Sequence, residues 1–311
     1  MENLSELALP ELTAATGLKP AAAKKLFRSF HQGFAATSPL AVDREEKSGG
    51  VIKTRFRLTD GARIESVFMD WGKDKKFVCV SAQAGCPIGC RFCATGQMGF
   101  KRNLTVGEII TQVYYFAKTE KVTNLVFMGM GEPFLNYDRV MNAVKLLNSE
   151  LGQNIAARKM VVSTIGIVPG IRQFAAELQT LKLAWSLAAP NDQLRHELIP
   201  YPGLPSIDET IAAIKDYQKI TKQRITIEYV LLKGINDGAN DLNELYRISQ
   251  TLDSHINLIQ YNPSPGLPLA AGDVELARAR LKGLRANVTI RRSLGREISA
   301  ACGQLATVMI K

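Results

Sequence analysis

"AGCPIGCRFCATG" spans residues 84–96 and sets Cys86, Cys90 and Cys93 in a C-x3-C-x2-C spacing. Gly85 and Gly89 let the backbone wrap tightly, and Pro87 stiffens the loop. Thiolates are soft ligands suited to zinc or to iron–sulfur clusters. Structural zinc wants four ligands, and His31, His196 and His255 lie far off in the sequence. Three thiolates on a four-iron cluster leave one iron open to a further ligand. Cysteines packed as small hydrophobes are the bland alternative. The polar, glycine-rich continuation "RFCATGQMGFKRNLT" (91–105) argues against it.

Upstream, "KFVCVSAQ" (76–83) reads as the strand that feeds this loop. Downstream, strand and helix periods alternate. Strands are expected at 124–131, 159–166, 181–190, 224–234, 255–263 and 287–293. Helices are expected at 137–150, from 169 to 178, and at 206–221, 239–253 and 272–284. The strands are apolar without alternation, which implies a parallel sheet covered by helices. Six β/α units and a closing strand fit an α/β fold of the partial or complete β/α (TIM-like) barrel kind. Chemistry then collects at the C-terminal strand ends.

Ahead of this series, residues 51–76 carry strand patterns joined by the "DG" turn at 60–61. "AATSPLAVDREEKSGG" (35–50) reads as a linker. Residues 1–38 carry helical signals, with Pro20 at a first turn and Leu26, Phe27 and Phe30 as an apolar stripe. The expected division is a small helical accessory module at 1–45, a hairpin adaptor at 51–76 and the barrel at 77–311.

The 311 residues carry 39 Lys and Arg against 29 Asp and Glu, a net charge of +10. That balance favours acidic partners, nucleic acid above all. Residues 278–296 hold seven basic side chains and no acid, Arg291, Arg292 and Arg296 among them. Lys101 and Arg102 follow the cysteine loop. These are the candidate phosphate contacts, although a solvated helix face accounts equally for Arg278 to Arg285. Five cysteines in a chain this long are no secretory disulfide scaffold, and no stretch approaches a membrane span. The expectation is a cytoplasmic protein with reduced thiols and no membrane partner.

Three further positions are ambiguous from the residues alone. Cys302, between Ala301 and Gly303, has room about its sulfur, yet a packing cysteine is commoner. Cys79 sits in an apolar strand and reads as core. Glu65, in "RIESVF", reads as an exposed strand glutamate.

The cysteine spacing, with an aromatic before its last member, resembles the radical S-adenosylmethionine (radical SAM) enzymes. "VSAQAGCPIGCRFCATGQMGFKRNLTVGEI" (80–109), "MGMGEP" (128–133), "VSTIGIVPGI" (162–171), "SLAAPND" (186–192), "INLIQYNP" (256–263) and "ISAACGQL" (298–305) are similar to the RlmN and Cfr methyltransferases, in the family order. That family methylates adenine in 23S rRNA. The RlmN branch acts at carbon 2, and also on adenine 37 of some tRNAs; the Cfr branch acts at carbon 8 and confers antibiotic resistance. The resemblance implies a barrel of the radical SAM type and a 4Fe-4S cluster on Cys86, Cys90 and Cys93. S-adenosyl-L-methionine is then both methyl donor and radical source.

In the same family pattern, Gly131, Glu132, Ser163, Ser186, Leu187, Ala188 and Asn262 contact that cosubstrate. Cys302 carries the methyl group into a covalent protein–RNA intermediate. Cys79 resolves the intermediate and leaves a Cys79–Cys302 disulfide; Glu65 is the base. Such a route answers a chemical difficulty, because an amidine-type carbon of adenine is electrophilic and cannot attack a sulfonium methyl. Ala188 stands where the family usually has histidine. Ser293 and Leu294 match neither branch, and Ile165 leans toward Cfr. Carbon-2 methylation is the favoured expectation, by a monomer reduced by a donor such as flavodoxin or ferredoxin. Cfr-like carbon-8 methylation and a nonenzymatic iron–sulfur RNA-binding protein are the alternatives.

Overall fold

The computed structural model describes residues 4–32, 39–177 and 180–307. A 3-10 turn at Leu4–Glu6 leads to α1 (Leu9–Thr16) and α2 (Pro20–His31). Strands β1 (Leu40–Ser48), β2 (Val51–Leu58), β3 (Arg63–Asp70), β4 (Lys76–Cys79) and β5 (Gln83–Gly85) follow. Next come α3 (Ala94–Gln97), β6 (Phe100–Asn103), α4 (Val106–Ala117), β7 (Asn124–Phe127), α5 (Tyr137–Asn148), β8 (Met160–Thr164) and α6 (Val168–Phe174). The chain continues through β9 (Lys182–Ser186), α7 (Asp192–Leu198), α8 (Ile207–Thr221), β10 (Ile225–Leu231), α9 (Ala239–Gln250), β11 (Ser254–Gln260), α10 (Val274–Gly283) and β12 (Val288–Arg291).

Ten strands form one sheet in the order β1-β2-β3-β4-β7-β8-β9-β10-β11-β12. From β4 to β12 every pairing is parallel. The six β/α units and the last strand are therefore present as an open, partial barrel whose edges are β1 and β12. Its helices start where local chemistry dictates. Thr105 and Glu108 form a reciprocal capping box on α4, and Ser206 and Glu209 do so on α8.

Two expectations are corrected. The linker reading of 35–50 fails, because residues 40–48 are β1, antiparallel to β2; residues 33–38 lie outside the described set. β1 is a charged edge strand. Asp43 accepts from Arg55 at 2.6 Å, and Glu46 pairs with Lys53 at 2.9 Å. Charge on an edge strand protects its open backbone, and the same charge makes it read as loop. The strand expected over 76–83 splits: β4 ends at Cys79, and Gln83–Gly85 pairs with β6 in a separate two-stranded sheet. The later strands stop two to four residues early, so the ends of those apolar runs become loops.

The N-terminal helices dock on α4 through α2, which buries Ala23, Phe27 and His31. His31 Nδ1 lies 2.5 Å from the Tyr114 hydroxyl, and its ring sits 4.2 Å from Phe27. Burial lowers its pKa to about 4, so the folded chain holds this ring neutral. The unfolded chain protonates it near 6.5. Stability is therefore expected to fall as pH drops from about 6.5 to about 4, by about 3 kcal/mol. Urea melts across that range should show the loss, and His31→Asn should remove one proton's worth of the slope.

Candidate active site at the C-terminal strand ends

Each parallel strand from β7 to β12 delivers a residue to one cavity toward its C-terminal end. Met128 and Glu132 follow β7, and Ser163 and Thr164 end β8. Ser186 ends β9, Glu228 lies on β10, Tyr261 follows β11 and Arg291 ends β12. The same cavity is walled by Cys86, Cys90, Cys93 and Cys302. A second, smaller cavity adjoins it, walled by Cys79 and again by Cys302, Met128 and Arg291. Cys302 thus stands between the three clustered thiols on one side and Cys79 on the other.

The cysteine loop is shaped by its glycines. Gly85 has φ +78°, and a Cβ there would sit 1.9 Å from the Gly99 carbonyl oxygen. Only glycine lets β5 turn against β6 so closely. The Cys86 amide then donates to Gly99 O at 3.0 Å, and the Cys93 amide to Cys90 O at 3.1 Å. The C-terminal loop is stapled to this one. Ala94 N donates to Gly303 O at 2.7 Å, and Thr95 Oγ1 to Leu305 O at 2.7 Å. Asn262 Nδ2 donates to Cys302 O at 3.1 Å. Residues some two hundred positions apart are therefore held in one rigid unit.

Burial and nearby charge decide how these groups ionise. Burial pushes the Cys86 thiol up to about 12 and raises those of Cys90 and Cys93. Such thiols become ligands when metal binding supplies compensating charge. Among the described residues no three His, Cys, Asp or Glu side chains converge as a single metal ion needs. Three thiols on the wall of one cavity are the soft donor set that an iron–sulfur cluster takes. Burial likewise lifts Cys79 to about 12, reinforced by Cys302 and opposed by Arg291.

Glu132 is buried after β7 and is pushed up to about 7 by desolvation. Ile165 N and Phe134 N donate to its carboxylate at 3.0 and 3.1 Å. Gly131, at φ +97°, turns the chain so that Glu132 N can donate to Gln83 Oε1 at 2.8 Å. The Oδ1 of Asn262 is buried without a hydrogen-bond partner. A buried orphan acceptor and a desolvated carboxylate beside a cavity are suited to a ligand that brings its own donors, an ammonium among them. These features fit S-adenosylmethionine bound beside a thiol-held cluster.

Not every expected contact reaches the cavity. Ser163, Ser186, Gly131 and Glu132 line it, whereas Leu187, Ala188 and Asn262 are buried and do not. Ala188 has φ +62°, and Asn236 Nδ2 fixes its carbonyl at 2.7 Å. A left-handed alanine costs about 1 kcal/mol.

Glu65 is not exposed, in contrast to its reading from the residues alone. It is 4% accessible, accepts from Ala306 N at 3.0 Å and lies 4.0 Å from Lys53 Nζ. Burial raises its pKa. The C-terminal segment covers it, an approach that strand alternation does not anticipate.

The basic residues divide. Arg292 is exposed at the smaller cavity, and Arg296 is exposed with Nη2 donating to Gln260 Oε1 at 2.6 Å. Lys101 is exposed on β6 and lines neither cavity. Arg102 donates to both Glu108 carboxylate oxygens at 2.8 Å and to Asp60 at 2.6 Å, so its guanidinium is occupied within the fold. Arg291 is internal: it pairs with Glu228 at 3.4 Å and donates to Met128 Sδ at 2.8 Å. Glu228 was absent from the expected site. Its signal was a lone carboxylate inside the apolar run "RITIEYVLLKG". All five cysteines are free thiols, so the implied Cys79–Cys302 disulfide is not formed in this structure.

Comparison with known proteins agrees with this arrangement. The model of the Radical SAM superfamily matches residues 80–247. A relative from Deinococcus deserti, described as a probable dual-specificity RNA methyltransferase RlmN, is 43% identical, with 94% of this chain and 87% of that protein covered. The ribosomal RNA large subunit methyltransferase N of Nitrosopumilus maritimus is 41% identical over the same shares. The crystal structure of a radical SAM methyltransferase from Sphaerobacter thermophilus superposes with a TM-score of 0.89 at 41% identity, covering 97% of this chain and 98% of that one. The chain belongs to the radical SAM superfamily and, within it, to the RlmN family.

Proposed function

We propose that this protein is a radical SAM RNA methyltransferase of the RlmN kind, acting on adenine of 23S ribosomal RNA and of transfer RNA. The observation that carries the reading is the position of Cys302, shared between the cavity of the three clustered thiols and the cavity of Cys79. Cys86, Cys90 and Cys93 hold the 4Fe-4S cluster, which when bound supplies one-electron activation of S-adenosylmethionine. Glu132 receives the cosubstrate's amino group. Gly131, Ser163 and Ser186 line the rest of its seat, and the buried Asn262, Leu187 and Ala188 support it.

Cys302 carries the methyl carbon as a thioether and holds the RNA base through that carbon. Glu65 removes the ring proton. Burial raises its pKa, which makes its carboxylate a stronger base than an exposed one. The Cys79 thiolate attacks the Cys302 sulfur. The sulfur–carbon bond breaks, its electron pair stays with the carbon, and a proton completes the new methyl group. Arg291 opposes the burial that raises the Cys79 pKa. Arg292, Arg296 and Lys101 are the proposed phosphate contacts, Arg102 being held by Glu108 and Asp60; among them Arg292 has the strongest support, being exposed at the cavity mouth. The RlmN description of the relatives favours carbon 2 over Cfr-like carbon 8.

Around this centre, residues 1–45, whose last six already lie in β1, serve as an accessory module and 51–76 as an adaptor to the barrel at 77–311. A small reductant such as flavodoxin or ferredoxin supplies electrons to a cytoplasmic monomer. Among the described residues no helix is long and apolar enough to cross a membrane. Mass spectrometry of 23S rRNA and tRNA from cells with and without the gene tests the function. One adenine should lose a methyl group at carbon 2 when the gene is deleted. An unchanged methylation pattern would contradict the reading.

A further inference from the structure

The turn between β3 and β4, "WGKDKK" (71–76), has no part in the site described so far. It is tightly made. Gly72 N donates to Asp70 Oδ1 at 2.8 Å, Lys75 N to Gly72 O at 3.0 Å and Trp71 N to Lys75 O at 2.9 Å. Trp71 is 39% exposed, an uncommon position for the largest apolar side chain. Its ring meets Phe77 edge-on, 6.2 Å between centroids. Both rings wall the smaller cavity, together with Cys79, Cys302 and Arg292. Lys73 and Lys75 are exposed on the same turn, whereas Lys76 is occupied by Glu120 and Asp70.

An exposed aromatic, a cavity ending at two thiols and flanking cations together match an unstacked nucleotide. The ring offers a face to the base and the cations offer charge to its phosphates. An enzyme acting on a ring carbon must also draw the base out of its stack. We propose that the Trp71 indole is the platform on which the target purine stacks as it enters the cavity between Cys79 and Cys302. Arg292, Lys73 and Lys75 take the neighbouring phosphates. This rests on the RNA methyltransferase reading and adds to it the seat of the base.

The chain has two tryptophans, and the other, Trp185, is fully buried out of reach of a stacking base, so the emission lost in Trp71→Phe reports Trp71. The cluster-loaded protein is titrated anaerobically with a 23S rRNA fragment containing the substrate adenine, and with the same fragment lacking that base. Emission should fall with the first RNA and not with the second, and Trp71→Phe should abolish the response. Trp71→Ala should raise KM about tenfold or more, with the loss falling on KM rather than kcat, and Trp71→Phe should recover most of it. Both variants should melt with the wild type, because the ring is at the surface. Equal quenching by the base-free RNA, or a wild-type KM in Trp71→Ala, would overturn the platform. Methyl transfer without quenching overturns the platform and leaves the methyltransferase reading standing. Quenching by the adenine fragment without methyl transfer keeps the platform and removes that reading.

Discussion

Replacing Cys302 by alanine should abolish methyl transfer, with a loss of at least about 10⁴-fold, because covalent catalysis has no partial substitute for its nucleophile. The fold should survive. Cys302 is half-buried in a loop held by backbone bonds from Ala94 and by Asn262, none of which uses its sulfur. Stability should change by no more than about 1 kcal/mol. The variant should still hold its iron, since Cys86, Cys90 and Cys93 are untouched. Retained iron and a wild-type melting profile, with no methylated RNA, is the expected combination. Turnover above a hundredth of the wild-type rate would remove Cys302 from the chemistry.

Cys79→Ala should fail differently. Cys79 is 7% accessible on β4, so losing its sulfur costs about 1 kcal/mol without disturbing the sheet. If Cys79 cleaves the link between Cys302 and RNA, the first half of the reaction still runs in the variant. Protein covalently bound to RNA should then accumulate toward one RNA per chain and persist through denaturing electrophoresis. Adding Cys302→Ala should erase that species. Normal multiple turnover by Cys79→Ala would contradict the assignment. The two variants together separate carrier from resolver, a distinction that activity alone would not make.

The cluster thiols were legible because their information is local: three soft ligands in eight positions announce a shared ligand with no help from the fold. The β/α order was legible because buried parallel strands are apolar throughout. Their ends were not. Met128 and Leu187 extend the apolar runs of β7 and β9 yet lie beyond the strands, Met128 lining the site and Leu187 buried behind the strand end, so hydrophobicity alone overstates each strand. β1 was lost because its charges are paired across the strand, as with Asp43 and Arg55, and that pairing is invisible in one segment.

Long-range covering hid the rest. Glu65 is buried by Ala306, a residue 241 positions away, and no periodicity along β3 reports that contact. Arg291 looked like one more member of a basic run. Its side chain reaches past β11 to Glu228 on β10 and is held inward. Cys79 and Cys302 could be joined beforehand only by family resemblance; their shared cavity supplies the physical reason.

Isotope content of the product is the most direct measure of the central claim, that Cys302 delivers the methyl carbon. Anaerobic turnover with S-adenosylmethionine bearing a fully deuterated methyl group is followed by mass spectrometry of the RNA and of the peptide holding Cys302. A deuterated methyl on the Cys302 sulfur and an adenine methyl keeping two of its three deuterium atoms is the predicted result, because one is abstracted and a solvent proton replaces it. An adenine methyl retaining all three, with Cys302 unmodified, would mean direct transfer and would contradict the account.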